Sequence, residues 1–123
     1  MAVKEIAFVA YPVIDWKKSR YFYEEILGMK PSQEFMNGDV GGVEYTFGEK
    51  GEYTFSIGKG FPGFEASGKG VVATLEVDNF DELVEKFKEN NVEVYMPAQD
   101  HRTCKSLGVI DPAGNQLMIH QKK

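Results

Sequence analysis

The sequence predicts an α+β fold made of two β-α-β-β-β modules. A strand followed by a helix opens the chain near Glu5, and the same pattern restarts near Val71. The turn glycines Gly51 and Gly114 recur at a spacing of 63 residues, and Val13-Ile14-Asp15-Trp16 corresponds to Val77-Asp78-Asn79-Phe80. Each helix is followed by short alternating runs punctuated by glycine, proline and asparagine. One module alone has too little to bury a sheet face, so the two are expected to pack together. A chain of 123 residues fits a single domain. Module one spans about 1–58, a linker 59–70, and module two about 71–123.

The elements follow in order. Glu5 to Val13 reads as a strand whose pairing stops near Pro12, which has no N–H to donate. Asp15 is placed to cap a helix over Trp16 to Leu27, with Phe22, Tyr23, Ile26 and Leu27 on one face and Gly28 as its left-handed stop. Gln33 to Met36 is a weak strand, and Val43–Phe47 and Tyr53–Ile57 form a hairpin through Gly48–Gly51. Gly58 to Gly70, rich in glycine, proline and serine, reads as a linker or flap with Phe61 and Phe64 as apolar tips. Val71 to Val77 is the next strand. Asp78 or Asn79 then caps a helix carrying Phe80, Leu83, Val84 and Phe87 at i, i+3, i+4, i+7, closed by Asn90-Asn91. Val92 to Met96 is a strand and Pro97 to Arg102 a loop. Cys104 to Gln121 is a hairpin turned by Asp111-Pro112-Ala113-Gly114-Asn115.

Composition narrows the function classes. A net charge of −5 and a pI near 5.0 exclude the basic stripe of a nucleic-acid binder. No apolar run approaches the length of a membrane span. Lys4-Glu5 does not fit a signal peptide, and the single cysteine, Cys104, cannot form an intrachain disulfide. A cytoplasmic protein is expected.

Three segments carry a family resemblance: Val13 to Lys30 (VIDWKKSRYFYEEILGMK), Val77 to Val94 (VDNFDELVEKFKENNVEV) and Ile110 to Gln121 (IDPAGNQLMIHQ). With the duplicated layout, the chain resembles the vicinal oxygen chelate superfamily of glyoxalases, extradiol dioxygenases, and fosfomycin- and bleomycin-resistance proteins. The resemblance implies that the two mixed sheets curl into a half-barrel around a pocket, with the helices outside. It also implies a homodimer. In metal-using members, His, Glu or Gln ligands come from the first and last strands of each module. Those positions carry over to Phe8, Phe55, Val72 and Met118. None offers oxygen or imidazole, so no metal and no cofactor are expected.

By strand parity, Phe8, Phe55, Val72 and Met118 bring Tyr53, Thr74, Glu76, Gln116 and His120 to the same side. Such an apolar, aromatic and methionine-lined surface is either a small-molecule pocket or a filled core. The candidate ligand-binding residues are Phe8, Tyr53, Phe55, Val72, Arg102, Cys104, Met118 and His120. Arg102 can clamp a carboxylate or phosphate, and Cys104 is a nucleophile or a small buried hydrophobe. Glu44 or Tyr45 supplies the matching inward group of module one. Three functions stand. The first is a metal-free protein that binds a small molecule with aromatic character. The second is a metal-free enzyme using Cys104, His120 or Arg102. The third is a lyase or dioxygenase whose metal ligands lie elsewhere.

Overall fold

A computed structural model describes residues 6–61, 64–70 and 72–123. The expected strand starts at Glu5 and Val71, and Pro62-Gly63 of the linker, lie outside the described residues. Two four-stranded mixed sheets carry the fold, in the order β1-β4-β3-β2 and β5-β8-β7-β6. The first contains β1 (Val9–Pro12), β2 (Pro31–Asn37), β3 (Val40–Phe47) and β4 (Tyr53–Lys59). The second contains β5 (Ala73–Glu76), β6 (Val94–Asp100), β7 (Cys104–Ile110) and β8 (Gln116–Lys122). In each, the first strand runs parallel to the last and the rest are antiparallel. The predicted duplication is therefore present, and the sheets do not close into a barrel.

Helix α1 starts at Trp16–Arg20 and continues without a break through Tyr21–Ile26. Asp15 caps it, its Oδ1 accepting from the Lys18 N–H at 3.1 Å. The second half is wound wider than an α-helix, with the Leu27 N–H donating to the Phe22 carbonyl at 3.0 Å. Phe22, Tyr23 and Ile26 are all buried there, and Gly28 exits at φ 77°. Helix α2 (Phe80–Glu89) has Asn79 at its cap position. The Asn79 side chain does not cap it; Gln121 Oε1 accepts the Phe80 N–H at 2.8 Å instead. No described helix is long and apolar enough to cross a membrane.

Two boundaries differ from expectation. Of the expected loop only His101 and Arg102 remain, because β6 continues through Pro97 to Asp100. Register shifts between Val94 and Gln99 pass Pro97 through an edge strand, where its missing N–H breaks no interior ladder. The weak strand at Gln33–Met36 is a full edge strand with every residue exposed.

Each sheet has a helix face and an open face. Val43, Tyr45, Phe55 and Ile57 on one sheet, and Leu107, Val109, Leu117 and Ile119 on the other, join Phe22, Tyr23, Leu83 and Phe87 in one core. Polar bonds tie the modules within that core. The Tyr23 hydroxyl donates to Asp111 Oδ2 at 2.7 Å, and Asn115 Nδ2 donates to the Pro12 carbonyl at 2.7 Å. The Tyr11 hydroxyl donates to the Gln116 carbonyl at 2.7 Å and accepts from the Ala73 N–H at 2.6 Å. Burial and the neighbouring Asp111 carboxylate hold the Tyr23 phenol well above its ordinary pKa, so it stays a donor.

Candidate ligand-binding site

The open faces carry the residues left over when large apolar side chains turn toward the helices. On module one these are Ala10 of β1, Ser56 and Gly58 of β4, Gly42 and Glu44 of β3, and Gln33 and Phe35 of β2. Alternation sends Glu44 to this face and Tyr45 to the core, which resolves the two alternatives the sequence left open. Gly42, Gly58 and Ala10 make a floor almost free of side chains. Phe8 and Phe35 wall it, 54% and 56% exposed. The linker turns back over it: Phe61 and Phe64 line the same cleft, their rings 6.4 Å apart and edge to face. A Cβ at Gly58 would stand 3.1 Å from the Phe64 ring, so a larger residue there would push that ring by a few tenths of an ångström. The cleft holds about 410 Å³, within the range of small-molecule sites. A second cleft of about 470 Å³ runs from Phe8 past Phe47 and Tyr53 to Thr74, at the seam between the modules.

The expected placement of Phe55 is corrected. Phe55 is 2% exposed, with its ring 5.3 Å from both Tyr11 and Tyr23 in the core. The cause is the length of the first hairpin. Val13 N–H donates to the Gly58 carbonyl as Val77 N–H donates to the His120 carbonyl, so Gly58 matches His120 and Ser56 matches Met118. Between Tyr45–Phe55 and the turn, module one has the pairs Thr46–Thr54 and Phe47–Tyr53; between Val109–Leu117 and the turn, module two has only Ile110–Gln116. Counting from the turn glycines therefore slips by one residue and selects the wrong face. The stripe of Phe55 and Ile57 against Leu117 and Ile119 carried the correct register.

The other candidates fall into two groups. Met118, His120 and Cys104 share the open face of module two, and half-buried Val72 directly precedes β5 on that parity. Met118 lies opposite Thr74 and Gly108, and Cys104 opposite Lys122. Tyr53 is 60% exposed at the start of β4, pairs with Phe47 at a ring distance of 6.4 Å, and lines the seam cleft. Arg102 is exposed in the connection between β6 and β7, two residues before Cys104. His120 Nδ1 is 2.6 Å from Glu76 Oε1, and Glu76 Oε2 accepts the Lys122 N–H at 2.7 Å. That backbone N–H, with the His120 bond second, holds the Glu76 carboxyl below its ordinary pKa.

Phe35, Ser56, Tyr95 and Ser106 on the open faces were not assigned as site residues from sequence, and Glu44 was named only as an alternative to Tyr45. The signal for them was the large-small alternation Val43-Glu44-Tyr45 and Phe55-Ser56-Ile57-Gly58, read with the larger member facing the helices.

The chain's family follows from a profile match. The profile described as the Glyoxalase/Bleomycin resistance protein/Dioxygenase superfamily matches residues 5–119. The chain belongs to that superfamily. Solved structures share its fold. TnmS3, an antibiotic binding protein from Streptomyces sp. CB03234, matches at 19% identity with TM-score 0.76, covering 100% of this chain and 99% of that one. The glyoxalase family protein of Enterococcus faecalis matches at 22% identity with TM-score 0.71, covering 98% and 99%. The fosfomycin resistance protein FosX of Listeria monocytogenes matches at 15% identity with TM-score 0.70, covering 98% and 95%. No curated protein matches the chain.

The superfamily's metal can be tested against the donors present. With the register corrected, the four ligand positions hold Phe8, Ser56, Val72 and Met118. A neutral hydroxyl and a thioether do not fit a divalent ion that wants carboxylate or imidazole. Among the described residues, no three His, Cys, Asp or Glu side chains gather as a metal-binding group.

Proposed function

We propose that the protein is a metal-free binder of a planar aromatic molecule that carries a cationic group. The cleft of module one carries this reading. The floor at Gly42 gives a flat ring room to lie against backbone, and four phenylalanines line the cleft, two of them, Phe61 and Phe64, edge to face at 6.4 Å. Glu44 is the carboxylate beside that floor. The net charge of −5 favours approach of a cation over an anion. A structural relative described as an antibiotic binding protein supports a small-molecule ligand.

Titration of the full chain with a planar aromatic amine such as proflavine, followed by fluorescence, is the test. Phe35→Ala is expected to weaken binding by about tenfold or more, and Glu44→Gln by a few-fold, about 1 kcal/mol. Phe35 is already more than half exposed, so its loss is expected to change stability by only about 0.5 kcal/mol. Equal affinity for wild type and both variants would refute the assignment.

The same reading extends to assembly. Phe8, Phe35, Phe47 and Tyr53 are each 40% exposed or more on one module, a surface that a second copy would shield. A homodimer acting in the cytoplasm is proposed. Light scattering is expected to give twice the 13.8 kDa chain mass at micromolar concentration. A monomer mass would contradict the dimer without touching the ligand assignment.

A further inference from the structure

The open faces of the two modules differ most along one row of residues. On module two, Glu76 of β5 lies opposite His120 of β8, His120 opposite Ser106 of β7, and Ser106 opposite Gln99 of β6. These four hydrogen-bonding side chains stand side by side across the whole sheet. The matching row of module one is Pro12, Gly58, Gly42 and Phe35, which has no polar side chain at all. The duplicated fold therefore does not demand a polar row there.

The geometry sets what the row can do. Both Glu76 oxygens are engaged, one with His120 Nδ1 at 2.6 Å and one with the Lys122 N–H at 2.7 Å. An ionised carboxylate only accepts, so the proton between Glu76 and His120 sits on Nδ1. In that tautomer Nε2 is the ring's free acceptor, held in orientation by a fixed carboxylate. Ser106, opposite His120 on the same face, adds a hydroxyl that can donate. A group that donates one hydrogen bond and accepts another is the complement, and a hydroxyl is such a group. The adjacent row carries no charge. Met118 lies between Thr74 and Gly108, and the Tyr95 ring covers Gly108, where a Cβ would stand 2.5 Å from its Cζ. A ring resting on Met118 and Tyr95 would bring its hydroxyl to His120.

We infer that the open face of module two recognises a phenolic hydroxyl, which donates to His120 Nε2 and accepts from Ser106. The inference rests on the reading that the ligand is aromatic. On ionisation the phenol's proton passes to Nε2, leaving a phenolate beside an imidazolium that the Glu76 carboxylate stabilises. No bond between heavy atoms changes. The other charged or titratable groups on this face are Lys122, Cys104 and the Tyr95 phenol, and β6 also adds the neutral Gln99. Lys105 and Asp100 are paired elsewhere, with Asp81 and Lys123.

The probes are para-nitrophenol and its methyl ether, para-nitroanisole, added to the full chain below the free phenol's pKa. The phenol is expected to bind about tenfold tighter than the ether, one charge-assisted hydrogen bond's worth. Its nitrophenolate band should develop at lower pH when bound. His120→Gln is expected to bring the two affinities within about twofold of each other. Glu76→Gln, which keeps the side chain's shape, should return the bound phenol's ionisation toward its free value. Folding of both variants is checked by their melting curves. Equal affinities in wild type, or a phenol preference that survives His120→Gln, would overturn the inference and leave aromatic binding standing. Binding of neither probe would overturn the inference as well, while the proflavine titration decides the aromatic-cation reading separately.

Discussion

Replacing Phe55 with alanine is expected to cost about 3–5 kcal/mol of stability and to leave ligand affinity within about twofold. The ring is 2% exposed, edge-on to Tyr11 and tilted against Tyr23 at 5.3 Å in each case. Tyr11 and Tyr23 are held by hydrogen bonds that join the two modules, so the vacated space cannot close by a local shift. The cost is therefore expected toward the upper part of the range for phenylalanine truncation. Denaturant titration with the slope compared between variants reads the loss. A small stability loss with a large affinity loss would mean that Phe55 faces the ligand after all. Phe35→Ala on the open face should show the reverse pattern.

Asp111→Ala is expected to lower stability by about 3–5 kcal/mol, because it strands several buried donors at once. Asp111 is 3% exposed and accepts from the Tyr23 hydroxyl, the Ala113 and Asn115 N–H groups, and Asn115 Nδ2, all between 2.7 and 2.9 Å. Without it the turn loses the acceptor that shapes it, and α1 loses its polar tie to module two. Tyr23→Phe removes only one of those bonds and is expected to cost about 1–2 kcal/mol. Thermal melts of the two variants give the comparison. A Tyr23→Phe loss as large as that of Asp111→Ala would show that the tyrosine bond alone carries the connection.

Much of this architecture was legible in the sequence, for physical reasons that differ by element. Strand-helix order and the 63-residue recurrence follow from hydrophobic period and turn glycines, which are local signals. The Asp15 cap was readable for the same reason. The face of each strand was less legible. Phe8, Phe55, Val72 and Met118 were all carried over from the family pattern; the 63-residue offset of the turn glycines links Phe55 to Met118, and the extra cross-strand pair of the first hairpin breaks that offset. The Asn79 cap failed because a distant residue, Gln121, supplies the acceptor. Pro97 inside β6 was unreadable because an edge strand tolerates proline where an interior strand does not. Partnership between Glu76 and His120 depends on the register of two strands far apart in the chain.

The central claim is that the site takes an organic ligand and no metal ion. The most direct test is the melting temperature of the native protein with Zn²⁺, Ni²⁺ or Mn²⁺, with a chelator, and with a panel of aromatic amines and phenols. Binding to the folded state alone raises the midpoint by linkage, so each class of ligand reports its own affinity. The expected result is a rise with members of the aromatic panel, and none with the ions or on chelation. A rise specific to one ion and abolished by the chelator, with about one bound metal per chain by elemental analysis, would contradict the account.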